Sequence, residues 1–147
     1  MTASDMFTAI SDGRAAHVAA ISPQRLRYWE KTGLVTPDVE REISPRNVVR
    51  LYSLPRVVEL VAASELRRQG VSLQHIRKII AHLRGQGYES PLREVRFALS
   101  GERVLFQHVD GGWEDSRQPF QGVFWHVIDL EEIRTRVQGR LQRTSVA

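Results

Sequence analysis

The stretch SPQRLRYWEKTG, residues 22–33, decides the fold prediction. Ser22 belongs to the residue types that cap helix N-termini, and Pro23 suits the first helical position, so a helix should begin here and end at Gly33. Leu26 and Trp29 are three residues apart and can share the buried side of this helix while its polar residues face outward. The stretch therefore predicts a short helix with one apolar side and a donor-rich outer side.

Another short helix should come directly before it. Ser11 and Asp12 are candidate N-caps for the Ala-rich segment GRAAHVAAI. A helix of about nine residues is marginal alone in water and needs packing against a neighbour. Two such helices joined by a tight turn give the outline of a helix-turn-helix.

The helical pattern is then interrupted. Pro37 and Pro45 break it, and VVRLY, residues 48–52, is rich in β-forming residues. We therefore expect a loop with a strand pair between the second and third helices.

Two further helices should follow this strand pair. The helical pattern resumes at Ser53, and the first of the two helices should end at Gly70, a good position for a helix-terminating glycine. The next is capped by Ser72 and should close at Gly85. Its apolar residues recur with helical spacing and form one stripe: Ile76, Ile79, Ile80 and Leu83.

The pattern changes after Gly85. GQGYESP looks like a linker, and VRFAL, ERVLFQHV and GVFWHVI are β-rich runs separated by turn residues. FALSGERVLF predicts a hairpin, and the capping-box spacing of residues 129–132 predicts a last helix. The fold class is therefore α+β, with a four-helix N-terminal part (residues 1–84) followed by a small antiparallel β-rich subdomain with a terminal helix (residues 85–147).

Composition narrows the function classes. The chain has 147 residues and no cysteine, which excludes disulfides, cysteine-ligated zinc and thiol catalysis. No signal peptide or membrane-spanning run is visible, so the cytoplasm is the expected location.

The positive charge is unevenly distributed. Residues 1–84 hold 13 Lys and Arg against 8 Asp and Glu, whereas residues 85–147 hold 8 Lys and Arg against 9 Asp and Glu. The basic excess lies in the first half, as in nucleic-acid-binding domains, although a coding bias toward arginine is an alternative explanation.

The helix of residues 23–31 concentrates hydrogen-bond donors. An α-helix fits the major groove of DNA, where Arg can pair with guanine and Gln with adenine, while Arg, Lys and Tyr can also hold phosphates. A solvated basic surface is the alternative interpretation. The donors are Gln24, Arg25, Arg27, Tyr28 and Lys31.

Three segments carry a family resemblance: ISPQRLRYWEKTGLVTP, RNVVRLYS and SELRRQGVSLQHIRKII. Over roughly residues 10–84 they resemble the MerR-type winged helix-turn-helix. The resemblance implies that a homodimer binds double-stranded DNA, with Gln24 and Arg25 facing bases and Arg27 and Tyr28 holding phosphates. The resemblance also matches Arg50 and Tyr52 to the arginine and tyrosine of the wing. Together with the other donors of the helix and the wing, the predicted DNA-binding residues are Gln24, Arg25, Arg27, Tyr28, Lys31, Arg46, Arg50 and Tyr52.

The chain departs from the family pattern in three places. Ala20 replaces the usual turn glycine, which requires a negative φ at this position. Val48 and Val49 replace the aromatic wing contact, with Arg41, Arg46 and Asn47 as candidate substitutes. The long dimerising helix of the family is missing, so effector sensing is not carried over.

The second half suggests a narrower resemblance. GVSLQHIRKIIAHLR, PLREVRFAL, a W-x-D turn and VIDL are similar to the DNA-binding half of VapB-type antitoxins, which partner PIN-domain RNase toxins. This resemblance implies a repressor and an autoregulating antitoxin of a toxin-antitoxin pair. The toxin would bind the β-rich half; otherwise the chain is a free-standing repressor unrelated to toxins.

The apolar residues of the second half have two interpretations. The aromatic residues favour the core of the β-rich subdomain, with a dimer or partner patch as the alternative. The stripe on the last helix either docks on the sheet or pairs with its copy across a two-fold axis. The interface residues predicted on the alternative interpretation are Trp113, Phe124, Trp125, Ile133 and Val137.

No enzyme, metal or cofactor is predicted. The His and acidic residues between positions 108 and 129 fit no compact ligand spacing, and no catalytic triad or phosphate-binding loop is present. A protein-interaction module that has lost DNA binding remains the alternative function, favoured by Val48 and Val49.

Overall fold

The computed structural model describes residues 9–100, 103–107, 113–115, 126–128 and 130–145. It confirms the α+β class: a helical N-terminal part with a small sheet, then a second antiparallel sheet and a C-terminal helix. The elements in chain order are β1 (Ile10–Ser11), α1 (Asp12–Ala19), α2 (Pro23–Lys31), β2 (Val39–Ser44), β3 (Asn47–Tyr52), α3 (Leu54–Arg68), α4 (Leu73–Gly85), α5 (Pro91–Glu94), β4 (Arg96–Ser100), β5 (Arg103–Gln107), β6 (Trp113–Asp115), β7 (His126–Ile128) and α6 (Leu130–Ser145).

Serine hydroxyls begin three of the helices, as predicted. Ser11, Ser22 and Ser72 each accept the backbone N–H of the third residue of the helix that follows, at 3.3, 3.1 and 3.1 Å. Each bond satisfies one of the N–H groups that the first turn of a helix leaves without a partner. The positions of α1, α2 and α4 are therefore fixed by local sequence.

The first four helices, α1 to α4, end in one backbone pattern. A residue with positive φ follows each helix, and the N–H groups there return to the last turn: Ile21 N to Ala16 O at 3.0 Å in α1 and Leu34 N to Trp29 O at 2.9 Å in α2. This is the Schellman arrangement. Three of the positive-φ residues are Gly33, Gly70 and Gly87. Gly85, at which α4 was predicted to close, is therefore the last residue of the helix, and the glycine with positive φ is Gly87, two residues later.

Ala20 is the fourth member of this set, and the expectation for it was wrong. Its φ is +57° and its ψ is +43°, in the left-handed region, where a negative φ was expected. A Cβ in this region costs about 1 kcal/mol. The helix-turn-helix therefore retains the backbone shape that glycine normally allows, at a small cost in stability.

The wing is the hairpin of β2 and β3, and β1 completes a three-stranded antiparallel sheet in the order β1-β3-β2. Glu40 pairs with Arg50 and Arg41 with Val49 across the hairpin. A bulge between Glu42 and Ser44 leaves Ile43 without a partner residue on β3. The predicted strand of residues 48–52 lies within β3, so the loop with a strand pair is confirmed.

A four-stranded antiparallel sheet in the order β6-β5-β4-β7 forms the second half. The predicted hairpin is confirmed, because Phe97 on β4 pairs with Phe106 on β5 and both side chains are buried. Trp113 on β6 is half-buried. Phe124, Trp125 and the predicted capping residue Asp129 lie outside the described residues.

The C-terminal helix packs on the N-terminal half. α6 lies against α3 and also touches α1, and its apolar stripe is buried there. Ile133 and Val137 are 2% and 0% exposed, so these predicted interface residues contribute to the chain's own core instead. One cluster of buried residues extends from Ile10 to Leu141 and crosses the domain boundary predicted at residue 84.

Two sequence-based exclusions can be compared with the described residues. No helix among them is long and apolar enough to cross a membrane. Nor do they bring together three His, Asp or Glu side chains in a group that could hold a metal ion.

The backbone of Ala20 leads to a stability prediction. Ala20→Gly should raise the free energy of unfolding by up to about 1 kcal/mol, because glycine adopts positive φ without a steric cost. Ala81→Gly is the matched control: Ala81 is exposed in the interior of α4, where glycine should lower stability by about 1 kcal/mol. Urea unfolding of both variants measures the difference. Equal destabilisation by both would show that Ala20 is not left-handed in solution.

Candidate nucleic-acid interface

The outer side of α2 presents the predicted donors to solvent. Gln24, Arg25, Arg27 and Lys31 are exposed, and Tyr28 is 54% exposed. On the opposite side Leu26 and Trp29 are each 2% exposed. The predicted division of this helix into a buried apolar side and an outward polar side is therefore confirmed.

Helix α2 is held at both ends. At its start Ser22 caps the backbone N–H of Arg25, so the side chain of Arg25 projects from a fixed first turn. At its end the Thr32 hydroxyl donates to the Tyr28 carbonyl at 2.7 Å, and the Arg77 guanidinium donates to the Thr32 carbonyl at 3.0 Å. The donor face is consequently carried on a helix that is hydrogen-bonded at both ends.

Arg50 does not point outward, which corrects its predicted role as a phosphate clamp. Its side chain is 19% exposed and its guanidinium faces three carboxylates: Nε lies 3.2 Å from Glu30 Oε2, Nη2 lies 3.7 Å from Glu40 Oε1 and Nη1 lies 4.0 Å from Asp12 Oδ2. These carboxylates neutralise the charge that a phosphate would need. Arg50 joins the wing to α1 and α2 instead of presenting a cation to a ligand.

Tyr52 is also a structural residue, contrary to its prediction as a DNA contact. It is 0% exposed, and its hydroxyl donates to Glu30 Oε1. Burial raises the pKa of Tyr52 far above its ordinary value, and the hydrogen bond to Glu30 and the charge of Glu30 raise this pKa further. Tyr52 therefore remains a protonated donor throughout the physiological pH range.

Glu30 is the residue that sequence reasoning missed. Its side chain is 8% exposed, forms an ion pair with Arg50 and accepts a hydrogen bond from the Tyr52 hydroxyl. We call the cluster of Glu30, Arg50 and Tyr52 the wing brace. A signal was present in the sequence: Glu30 is four residues after Leu26, and this spacing places its carboxylate next to the buried side of α2. A buried carboxylate requires a cationic or donor partner.

The tip of the wing carries the remaining predicted cation. Arg46 lies in the turn between β2 and β3 and is exposed, as are Arg41 and Asn47 nearby. Ile43, at the bulge, is 63% exposed. The wing therefore offers positive charge at its tip, while its base is occupied by the wing brace.

Comparisons with known proteins give a consistent picture. A model described as "MerR HTH family regulatory protein" matches residues 12–83. Relatives from Mycobacterium bovis and from two strains of Mycobacterium tuberculosis, each called an uncharacterized HTH-type transcriptional regulator, are 35% identical over 110 residues. These alignments cover 75% of this chain and 48% of each relative, so the chain spans about half the length of the curated relatives that it matches.

The wing brace leads to a prediction at alkaline pH. Because the pKa of Tyr52 is raised on folding, its contribution to stability is complete below the ordinary tyrosine pKa of 10.0 and is lost as the pH rises above it. Each pH unit above that value should remove about 1.4 kcal/mol of the wild-type free energy of unfolding through this group. Tyr52→Phe should be about 1–2 kcal/mol less stable at neutral pH, because it lacks a hydrogen bond to a charged group.

Urea unfolding at several pH values measures both effects. The stability difference between wild type and Tyr52→Phe should shrink as the pH rises above 10.0. Tyr28→Phe, at an exposed position, is the matched control and should follow the wild-type profile. A Tyr52→Phe profile parallel to wild type would contradict the buried Tyr52–Glu30 bond.

Proposed function

The chain belongs, through residues 12–83, to the MerR helix-turn-helix family, and we propose that it is a sequence-specific transcriptional regulator that binds double-stranded DNA through the outer side of α2. Gln24 and Arg25 read base edges in the major groove. Arg27, Tyr28 and Lys31 hold phosphates on either side of it, and Arg46 at the wing tip adds a phosphate contact. Arg50 and Tyr52 orient the wing and do not touch DNA.

The charge distribution around α2 is the observation that supports this proposal best. Within the described part of the chain, no ion pair engages Arg25, Arg27 or Lys31. The acidic residue of the helix, Glu30, lies on the opposite, buried side. The outer side of α2 therefore presents uncompensated positive charge, which is what a phosphate backbone attracts.

The mode of regulation is a finer part of the proposal. A protein that occupies the major groove of a promoter excludes other proteins from it, so we propose repression. We also propose that a homodimer binds a two-fold-related site, as the family resemblance implies, and that the protein works in the cytoplasm without enzymatic activity. The β-rich half is the proposed dimerisation region, although Ile133 and Val137 are buried within the chain and do not take part.

The antitoxin role stays a prediction from the narrower resemblance. The relatives are called transcriptional regulators and their names mention no toxin. A neighbouring reading frame for a PIN-domain protein that copurifies with this chain would support the role. The absence of such a neighbouring reading frame would favour a regulator unrelated to toxins.

Two substitutions on α2 should have different effects on binding. Arg27→Ala should weaken binding to every duplex alike and reduce the magnitude of the slope of log K against log salt by about 0.9, because one phosphate contact is lost. Arg25→Ala should reduce discrimination between the preferred duplex and a mismatched one by about 1–3 kcal/mol. Fluorescence anisotropy with a duplex selected from a random pool measures both.

Arg84→Ala is the control. Arg84 is exposed on α4, so this substitution removes the same charge from a helix other than α2. It should leave both the slope and the discrimination unchanged. If Arg84→Ala and Arg27→Ala were equivalent, binding would be a general effect of net charge. If neither Arg25→Ala nor Arg27→Ala changed the regulatory activity of the protein, the alternative of an interaction module without DNA binding would replace this proposal.

A further inference from the structure

An arginine of the C-terminal helix caps the first helix of the helix-turn-helix. Arg140 Nη1 donates to the Val18 carbonyl oxygen at 2.7 Å, across 122 positions of sequence. Val18 lies in the last turn of α1, where the Schellman bonds satisfy the carbonyls of Ala16 and His17 but not that of Val18. The guanidinium therefore donates a hydrogen bond to a carbonyl that the helix itself leaves without a partner, at the negative end of the helix dipole.

An arginine of α4 performs the same task for the second helix. Arg77 Nη1 donates to the Thr32 carbonyl at 3.0 Å, and Nη2 donates to the Thr32 hydroxyl. The same hydroxyl donates a hydrogen bond to the Tyr28 carbonyl within α2. Both helices of the motif are thus capped at their C-termini by guanidinium groups from outside the motif.

The two caps lie where the geometry of the motif is decided. Arg140 donates to the carbonyl of Val18, two residues before Ala20, whose left-handed backbone begins the turn between α1 and α2. Arg140 itself is adjacent to the buried face of α6, which carries Val137 and Leu141 into the core against α3. A continuous set of contacts therefore connects the C-terminal helix to the turn of the helix-turn-helix.

We propose that Arg140 and Arg77 are positioning residues for DNA reading, which hold α1 and α2 in the angle that lets α2 match the major groove. This inference rests on the proposed function. It assigns the C-terminal helix a role in DNA recognition without contact to DNA. Any partner that shifts α6 would change DNA discrimination through Arg140.

The test compares Arg140→Met with Arg136→Met, and Arg77→Met with Arg84→Met. Arg136 is exposed on α6, as Arg84 is on α4. Both variants of a pair therefore remove one positive charge from the same helix. The probes are a duplex selected by the wild-type protein from a random pool and poly(dI-dC). The readouts are the ratio of the two affinities, the salt slope on poly(dI-dC), and the active fraction from stoichiometric titration.

Loss of either cap should lower the affinity ratio by about two- to thirty-fold. The salt slope on poly(dI-dC) should not change, because neither arginine meets a phosphate. The control variants should keep the wild-type ratio. Arg140→Lys and Arg77→Lys retain a cationic donor and should recover part of the ratio, and they replace the Met variants if those fail to fold.

Each other outcome decides against the inference in a distinguishable way. A folded Arg140 variant with the ratio of its control would show that the cap is a stability element alone. A reduced salt slope would show that the arginine contacts DNA directly. If wild type binds the two probes equally or not at all, the proposed function fails and this inference fails with it.

Discussion

A buried carboxylate beneath α2 is the constraint on which the geometry of the proposed DNA-binding surface depends. Glu30 is on the inner side of the helix, and an unpaired charge there would strongly destabilise the fold. Arg50 and Tyr52, both on β3, supply its partners, and Asp12 and Glu40 also face the Arg50 guanidinium. The need to pair one carboxylate thus fixes the wing against the helix-turn-helix.

This arrangement divides the arginines of the first half into two groups. Arg50, Arg67 and Arg77 donate to protein carboxylates or carbonyls and contribute to the fold. Arg25 and Arg27 point into solvent from α2. Net charge therefore indicates which half of the chain carries the proposed DNA-binding surface, but burial and partners determine which of its cations are free to bind a ligand.

Local rules explain what the sequence could predict. Serine caps, the terminating glycines Gly33 and Gly70, the apolar stripe of α4 and the β4–β5 hairpin depend on residues close together in the chain. The donor face of α2 was predictable for the same reason, since helical spacing decides which side chains share a face.

Tertiary contacts explain what the sequence could not predict. Arg50 and Tyr52 were assigned to DNA because their partner, Glu30, lies 20 or more positions away in sequence. The packing of α6 on α3 likewise joins elements that are distant in sequence. Arg50 and Tyr52 are residue types that suit a phosphate ligand, but their side chains bind within the fold.

The salt dependence of wild-type binding to double-stranded DNA tests the central claim most directly. If Arg27, Lys31 and Arg46 each hold a phosphate and Arg50 holds none, the slope of log K against log salt should be about −3 for each chain bound. A slope near zero would contradict phosphate recognition by α2 and the wing tip altogether.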